Sequence, residues 1–261
     1  MGKIIVTDDF IDLGAITSRS EATGYADDNV EDYWHLKRRF RADDVTDTDW
    51  LLKCNLGAAK SVEAIVLCDV NFDHVQFQLH AADAWGAPDH DSGDLTISQF
   101  DVTKRYNIIY IPAAAVTKQW IRVYIPNTAS PVGDYTTKWE VGALVVLDTA
   151  TALSKNMSYG YSRTAEKAFE TIRLPHGGHE VVKLGSDLKA VIKAYFGYRT
   201  KAGEAELWTL NAMSPGDPLI FFENDGDTSA VYLCTKDNAY EGEVVANNLV
   251  KGNAIQFTEL I

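Results

Sequence analysis

An alternation of apolar and polar residues with a period of two constrains this chain more than any other feature. In VQFQLH (75–80), Val75, Phe77 and Leu79 fall on one side of an extended backbone and Gln76, Gln78 and His80 on the other. QWIRVYIPN (119–127) repeats the pattern, with Ile121, Val123 and Ile125 opposed to Trp120, Arg122 and Tyr124. A sheet with one face on a core must bury the aliphatic set. Trp120, Arg122 and Tyr124 are then left to solvent, a neighbouring loop or a partner, which makes Trp120 and Tyr124 candidate interface or ligand residues.

Further short runs at 3–6, 50–54, 62–68, 107–111 and 138–147 are separated by Asp-, Gly- and Pro-rich connectors at 41–49, 84–94 and 127–135. That texture predicts an all-β sandwich or barrel. At 261 residues the chain is long for one core of ordinary size, and two domains are expected. The first spans 1–148, a small polar linker 149–158, and a β-rich domain 159–261. In the latter, Leu188, Val191, Ile192, Tyr195 and Phe196 recur at helical spacing, with Ser186 as N-cap and Gly197 as terminator. The spacing predicts an amphipathic helix over 186–197. Strands are expected in YGYSRTAEKAFETIRL, HEVVKLG, AELWTL (205–210), PLIFFEND (218–225), AVYLCT (230–235), GEVVANN (242–248) and AIQFTELI (254–261).

A net charge of −13 argues against a phosphate-gripping surface, so no nucleic-acid partner is expected. No run approaches the roughly 18 apolar residues of a membrane span, and no export signal is read at the start. Cys54, Cys68 and Cys234 are odd in number and widely spaced, which suggests neither a disulfide framework nor a zinc site, and Cys68, continuing the set Val62, Ala64 and Val66, reads as a buried thiol. Nucleophile-elbow, phosphate-loop, zinc-protease and dinucleotide motifs are all missing from the sequence, and the expectation is a non-enzymatic protein.

DYWHLKRRFR (32–41) is the densest basic patch, setting Tyr33, Trp34 and His35 beside Arg38, Arg39 and Arg41. Aromatic rings stack on sugars, and Arg suits carboxylates or an acidic neighbour. The patch reads as packed aromatics with surface charge, as a subunit interface, or as a glycan site. Trp85 is a further glycan candidate. The acidic run DDVTDTD offers Asp43, Asp44, Asp47 and Asp49 as weak ligands for a structural calcium ion; no other cofactor is expected. HGGH (176–179) reads as a polar turn in preference to a metal site.

Trp50-Leu51-Leu52 leading to Leu56-Gly57, then NFDHVQFQLHAADAW, then QWIRVYI and WEVGALVVL, resembles the galactose-binding-like, discoidin-type jelly roll over residues 20–148. Asn55 stands where that pattern has an acidic residue. The resemblance implies a β-sandwich in which the Arg122 strand is framework. It leaves glycan binding, protein binding and structural roles all open. The second half is similar in texture to small β domains of tailed-bacteriophage virion proteins, of distal-tail or minor-tail type. This implies a homo-oligomeric structural component near the tail tip or baseplate, made in the host cytoplasm and resident in the virion, with other virion proteins as partners. The alternative is a carbohydrate-binding module that attaches to a host-surface glycan.

Overall fold

The computed structural model of the protein describes residues 4–34, 36, 38–46, 49–97, 106–132, 137–150, 152–153, 162–173, 179–214, 216–223, 230–246 and 248–260. The chain is mainly β and divides into two compact units, Met1–Leu153 with Leu219–Leu233, and Ser154–Pro218 with Cys234–Ile261. Leu219–Leu233, which lies well beyond the expected linker, packs with the first unit. Most of that linker, 151 and 154–158, lies outside the described residues.

The first unit is a jelly-roll β-sandwich. One sheet runs in the order Ala15–Ser18, Trp50–Val62, Val116–Tyr124, His74–His80, His90–Asp91, with Leu95–Thr96 pairing beside His74–His80. The other runs Ala143–Leu147, Ala64–Val70, Tyr106–Tyr110. All the pairings given for both sheets are antiparallel. The alternation expected from the sequence is present, since Val75, Phe77, Leu79, Ile121, Val123 and Ile125 are all buried in one apolar cluster. Leu67, Leu144 and Val146 of the second sheet belong to the same cluster. Phe77 stacks on Tyr110 at 6.0 Å, and Trp139 meets Phe72 edge-on at 6.1 Å.

All of Ala64–Cys68 and Ala143–Leu147 are buried, so the second sheet is covered on both faces and alternation fades there. Asn107 Nδ2 donates to Val231 O at 2.9 Å, tying Leu219–Leu233 to this unit. Ile5, Val6 and Thr7 pair antiparallel with Phe222, Phe221 and Ile220.

In the second unit Ser162–Arg173 and His179–Tyr195 form a long antiparallel ribbon. Residues 191–195 of its second strand also pair with Ala254–Glu259, which pairs in turn with residues 234–236. A separate sheet runs Tyr198–Thr200, Leu249–Gly252, Gly242–Ala246.

Two expectations exchange places. The segment 186–197 is not a helix: through Tyr195 it belongs to the strand His179–Tyr195, because residues 191–195 find backbone partners on both sides and Ala190, Val191 and Ile192 are buried consecutively. Gly197, at φ +60°, turns the chain after that strand. AELWTL is not a strand but lies in the helix Lys201–Thr209, capped by Thr200 Oγ1, which accepts from Gly203 N at 3.2 Å. Glu204, Ala205, Glu206 and Leu207 favour helix, and Leu207 and Leu210, three apart, are its buried contacts. No helix among the described residues is long and apolar enough to cross a membrane.

All three cysteines are free and buried. Cys54 Sγ donates to Leu13 O at 2.9 Å, and burial pushes its thiol up to about 12. Native protein at pH 8 is therefore expected to be inert to a thiol-specific chromogenic reagent and to release three thiols only on unfolding. A native thiol that reacts at the rate of a free one would refute the burial. Phe77→Ala should cost about 3–5 kcal/mol in urea unfolding; a near-neutral result would place Phe77 outside the core.

Candidate functional site

The central strand Val116–Tyr124 is paired on both edges, and its register builds a three-by-three grid on the outer sheet face. Trp120 stands between Asn55 and His80, Arg122 between Lys53 and Gln78, and Tyr124 between Trp50 and Gln76. Residues directly opposite in an antiparallel pair share a face. Trp50 joins this face through a register shift between Val123 and Tyr124, where Leu51 and Leu52 are both buried. Strict alternation places Trp50 with the core; the bulge turns it outward.

Arg122 is the centre of the grid and is only 8% exposed, although it sits on the outer face. The loop after His80 folds back over it. The guanidinium lies 4.7 Å from the Trp85 ring centre and 5.5 Å from that of Tyr124. Its Nε donates to Gln78 Oε1 at 2.7 Å, and its Nη2 donates to the same oxygen. Gln78 Nε2 in turn donates to Asp91 Oδ2 at 2.7 Å. Burial draws the Arg122 pKa below the usual guanidinium value, while Asp49, Tyr124, Asp91 and Asp83 act in the opposite sense.

The loop is held by charge-assisted contacts. Asp83 Oδ1 accepts from Lys53 Nζ at 3.0 Å and from Trp85 Nε1, and the Lys53 hydrogen bond is the largest cause of its lowered pKa. Lys53 also lies over the Trp50 ring at 4.4 Å. Asp89 accepts from Lys118 Nζ at 2.7 Å and from Ala81 N at 3.1 Å, which lowers its pKa, and His80 packs on Trp85 at 6.0 Å. The result is a surface of part-exposed Trp50, Trp85, Trp120 and Tyr124 rings, flanked by amides and by carboxylates that already hold cations.

The basic segment 32–41 is organised differently. Arg39 bridges Asp69 Oδ2 and Glu140 Oε2, both at 2.8 Å, and Arg41 Nε donates to Glu140 Oε1 at 2.6 Å while its guanidinium lies 3.9 Å from the Tyr25 ring centre. Glu140 is buried at 2% exposure, and its backbone N donates to Asn71 Oδ1. Gly142 allows this closeness, since a Cβ there would meet the Asp69 Cβ at 2.7 Å. Arg39 and Arg41 thus join Phe40–Arg41 to Glu140–Val141 inside the unit. Tyr33 packs edge-on against Phe10 at 5.4 Å, and burial raises its pKa. Trp34 is half exposed, and Arg38 is exposed beside Asp32 at 3.7 Å. His35 lies outside the described residues.

Of the calcium candidates, Asp44 Oδ1 accepts from the backbone and hydroxyl of Thr46, Asp49 pairs with Arg19 at 3.3 Å, and Asp43 is exposed. Asp47 lies outside the described residues, as do residues 176–178 of HGGH. Among the described residues no group of three or more His, Cys, Asp or Glu is placed to hold a metal ion. Sequence reasoning had Trp85, Trp120 and Tyr124 as separate candidates. It placed Arg122 outward with Trp120 and Tyr124 without naming it a site residue, and missed Trp50, Lys53 and Gln78, of which only Gln78 gave a signal, on the outward half of its alternating strand.

No protein-family model matches the chain, and no curated protein sequence does. Solved structures with similarity include a chitosan-binding module of a chitosanase/glucanase from Paenibacillus sp. IK-5 (15% identity, TM-score 0.38, covering 54% of this chain and 98% of that one). A fucose-binding module of Streptococcus pneumoniae gives 10% identity and TM-score 0.36 over 54% and 97%. A serum F-lectin of striped bass, Morone saxatilis, gives 10% and 0.37 over 95% and 97%. At such values the likeness transfers no ligand to this chain.

Gln78→Leu removes the only acceptor that Nε and Nη2 of Arg122 share. It should cost about 1.5–3 kcal/mol in urea unfolding, whereas Gln76→Leu on the same strand stays near neutral. Equal effects of the two substitutions would show that Gln78 does not hold Arg122.

Proposed function

We propose that the first unit binds carbohydrate without turning it over, on the face formed by Trp50, Trp85, Trp120 and Tyr124. The observation that carries this reading is the combination of four part-exposed rings with paired donors and acceptors on one sheet face, secured by the stacked Arg122. Aromatic faces match the C–H faces of a sugar ring, and amides and ion-paired carboxylates match its hydroxyls in both directions. Asp83 already holds Lys53 and Asp89 already holds Lys118, so the face is balanced in charge. It suits an uncharged, hydroxyl-rich ligand.

A glycan array followed by calorimetry tests this. Saturable millimolar-to-micromolar binding of a defined glycan is expected, weakened at least about tenfold by Trp85→Ala. An array without hits, or full affinity in Trp85→Ala, refutes the reading.

A second reading is a homo-oligomeric structural component of a tailed-phage virion, at the tail tip or baseplate. It is supported by the fully exposed strand Gly242–Ala246 at the end of its sheet. In that setting the glycan face would serve attachment to a host surface. Co-sedimentation of the protein with intact particles tests the location.

A further inference from the structure

The ribbon Ser162–Arg173/His179–Tyr195 extends well beyond the sheet that anchors it. Only residues 191–195 of its second strand pair with Ala254–Glu259, whereas 179–183 and 188–189 pair, among the described residues, with Ser162–Arg173 alone, and a register shift sets 184–187 between them. Measured on the first strand, from Glu166 opposite Lys189 to Arg173 opposite His179, the overhang is about 23 Å long at the usual rise per residue. A two-stranded ribbon without a third strand or a covering element is marginal in water. Among the described residues, no further strand pairs with its backbone edges.

Charge indicates what covers it. The two strands carry six Lys or Arg and four Asp or Glu, a balance of +2, so the rest of the chain carries −15. The same unit holds a second unsatisfied edge. Gly242–Ala246 pairs only with Leu249–Gly252 among the described residues, and all five of its residues are exposed, with Val244 at 63% and Val245 at 44%. Glu241 and Glu243, at its start, are exposed and acidic. Natural proteins rarely leave an apolar strand edge open, because it templates pairing with another chain.

We propose that the ribbon of one copy adds to the strand Gly242–Ala246 of a second copy of this chain. Backbone pairing would join a ribbon of net positive sequence charge to the edge that carries Glu241 and Glu243, and cover Val244 and Val245. Donor and acceptor are different surfaces, so the contact is head-to-tail, and each copy keeps a free ribbon or a free edge until a ring closes or a filament grows. This deepens the assembly reading by naming the surface and the partner, and it is independent of the glycan face.

The test is sedimentation velocity of the full chain from about 1 to 100 μM, with and without about 0.5 M salt. Wild type is expected to form concentration-dependent multimers that weaken in salt. Val244→Lys with Val245→Lys, both at exposed positions, should give a monomer with an unchanged Tm. Lys167→Glu with Lys183→Glu should do the same from the ribbon side. An equimolar mixture of the two variants should form dimers and nothing larger, because one intact ribbon and one intact edge remain. Multimers that persist in either variant overturn this surface while leaving assembly standing. A wild type that stays monomeric throughout overturns both.

Discussion

The register of the central strand Val116–Tyr124 is the constraint on which the first unit rests. It is hydrogen-bonded on both sides, to Trp50–Val62 and to His74–His80, and each neighbour carries its own alternating set. A slip of one residue exchanges Ile121, Val123 and Ile125 for Trp120, Arg122 and Tyr124. The core would then receive a guanidinium with no partner, at a cost of several kcal/mol. That penalty makes the inward set and the outward grid one decision. The sheet cannot bury its aliphatic residues without aligning Trp50, Lys53, Gln78, Arg122 and Tyr124 on the opposite face.

Two groups of arginines in this unit show how similar side chains take different roles. Arg39 and Arg41 converge on the carboxylate of Glu140, whose backbone N donates to Asn71 Oδ1, and the cluster joins segments about a hundred residues apart. Its polar atoms are spent on one another. Arg122 instead meets a neutral amide oxygen and two ring faces, while the nearest carboxylate in that chain of contacts, Asp91, is reached through Gln78. Trp85 and Tyr124, packed against the cation, remain part-exposed. Stacking on a rigid, charged platform restricts the rings before any ligand arrives, which lowers the ordering cost of binding.

Period-two alternation made the sandwich legible, because it depends only on one face being buried. It failed where that condition fails. Ala64–Cys68 and Ala143–Leu147, buried throughout, are still legible as strands from their short apolar runs, but residues 190–192 are buried in sequence and 186–197 mimics helical spacing while being strand through Tyr195. AELWTL misleads in the other direction, since its Leu207 and Leu210 satisfy helical contacts within a short apolar run. For the site, alternation identified Trp120 and Tyr124 as outward. Trp50 was hidden by the bulge at Leu51 and Leu52, and Trp85 by a loop whose return over Arg122 is set by Asp83 and Asp89. Such contacts join residues 29 and 30 apart and leave no local period to read.

The second unit spends its backbone differently. In the sandwich the central strand is paired on both edges, so its hydrogen-bonding groups are satisfied within the chain. The strands His179–Tyr195 and Gly242–Ala246 leave long stretches paired on one edge only, among the described residues. Unpaired backbone in water costs little; valines and a ribbon with no third strand gain more when another chain supplies the missing edge. A chain that satisfies one unit internally and leaves the other with complementary open edges has separated two tasks. On the functions proposed above, the sheet whose central strand is paired on both edges would fix a face for a ligand, and the edges paired on one side only would repeat that face from copy to copy. If both proposals hold, repeating a weak sugar contact in this way would raise avidity without adding a single contact per site.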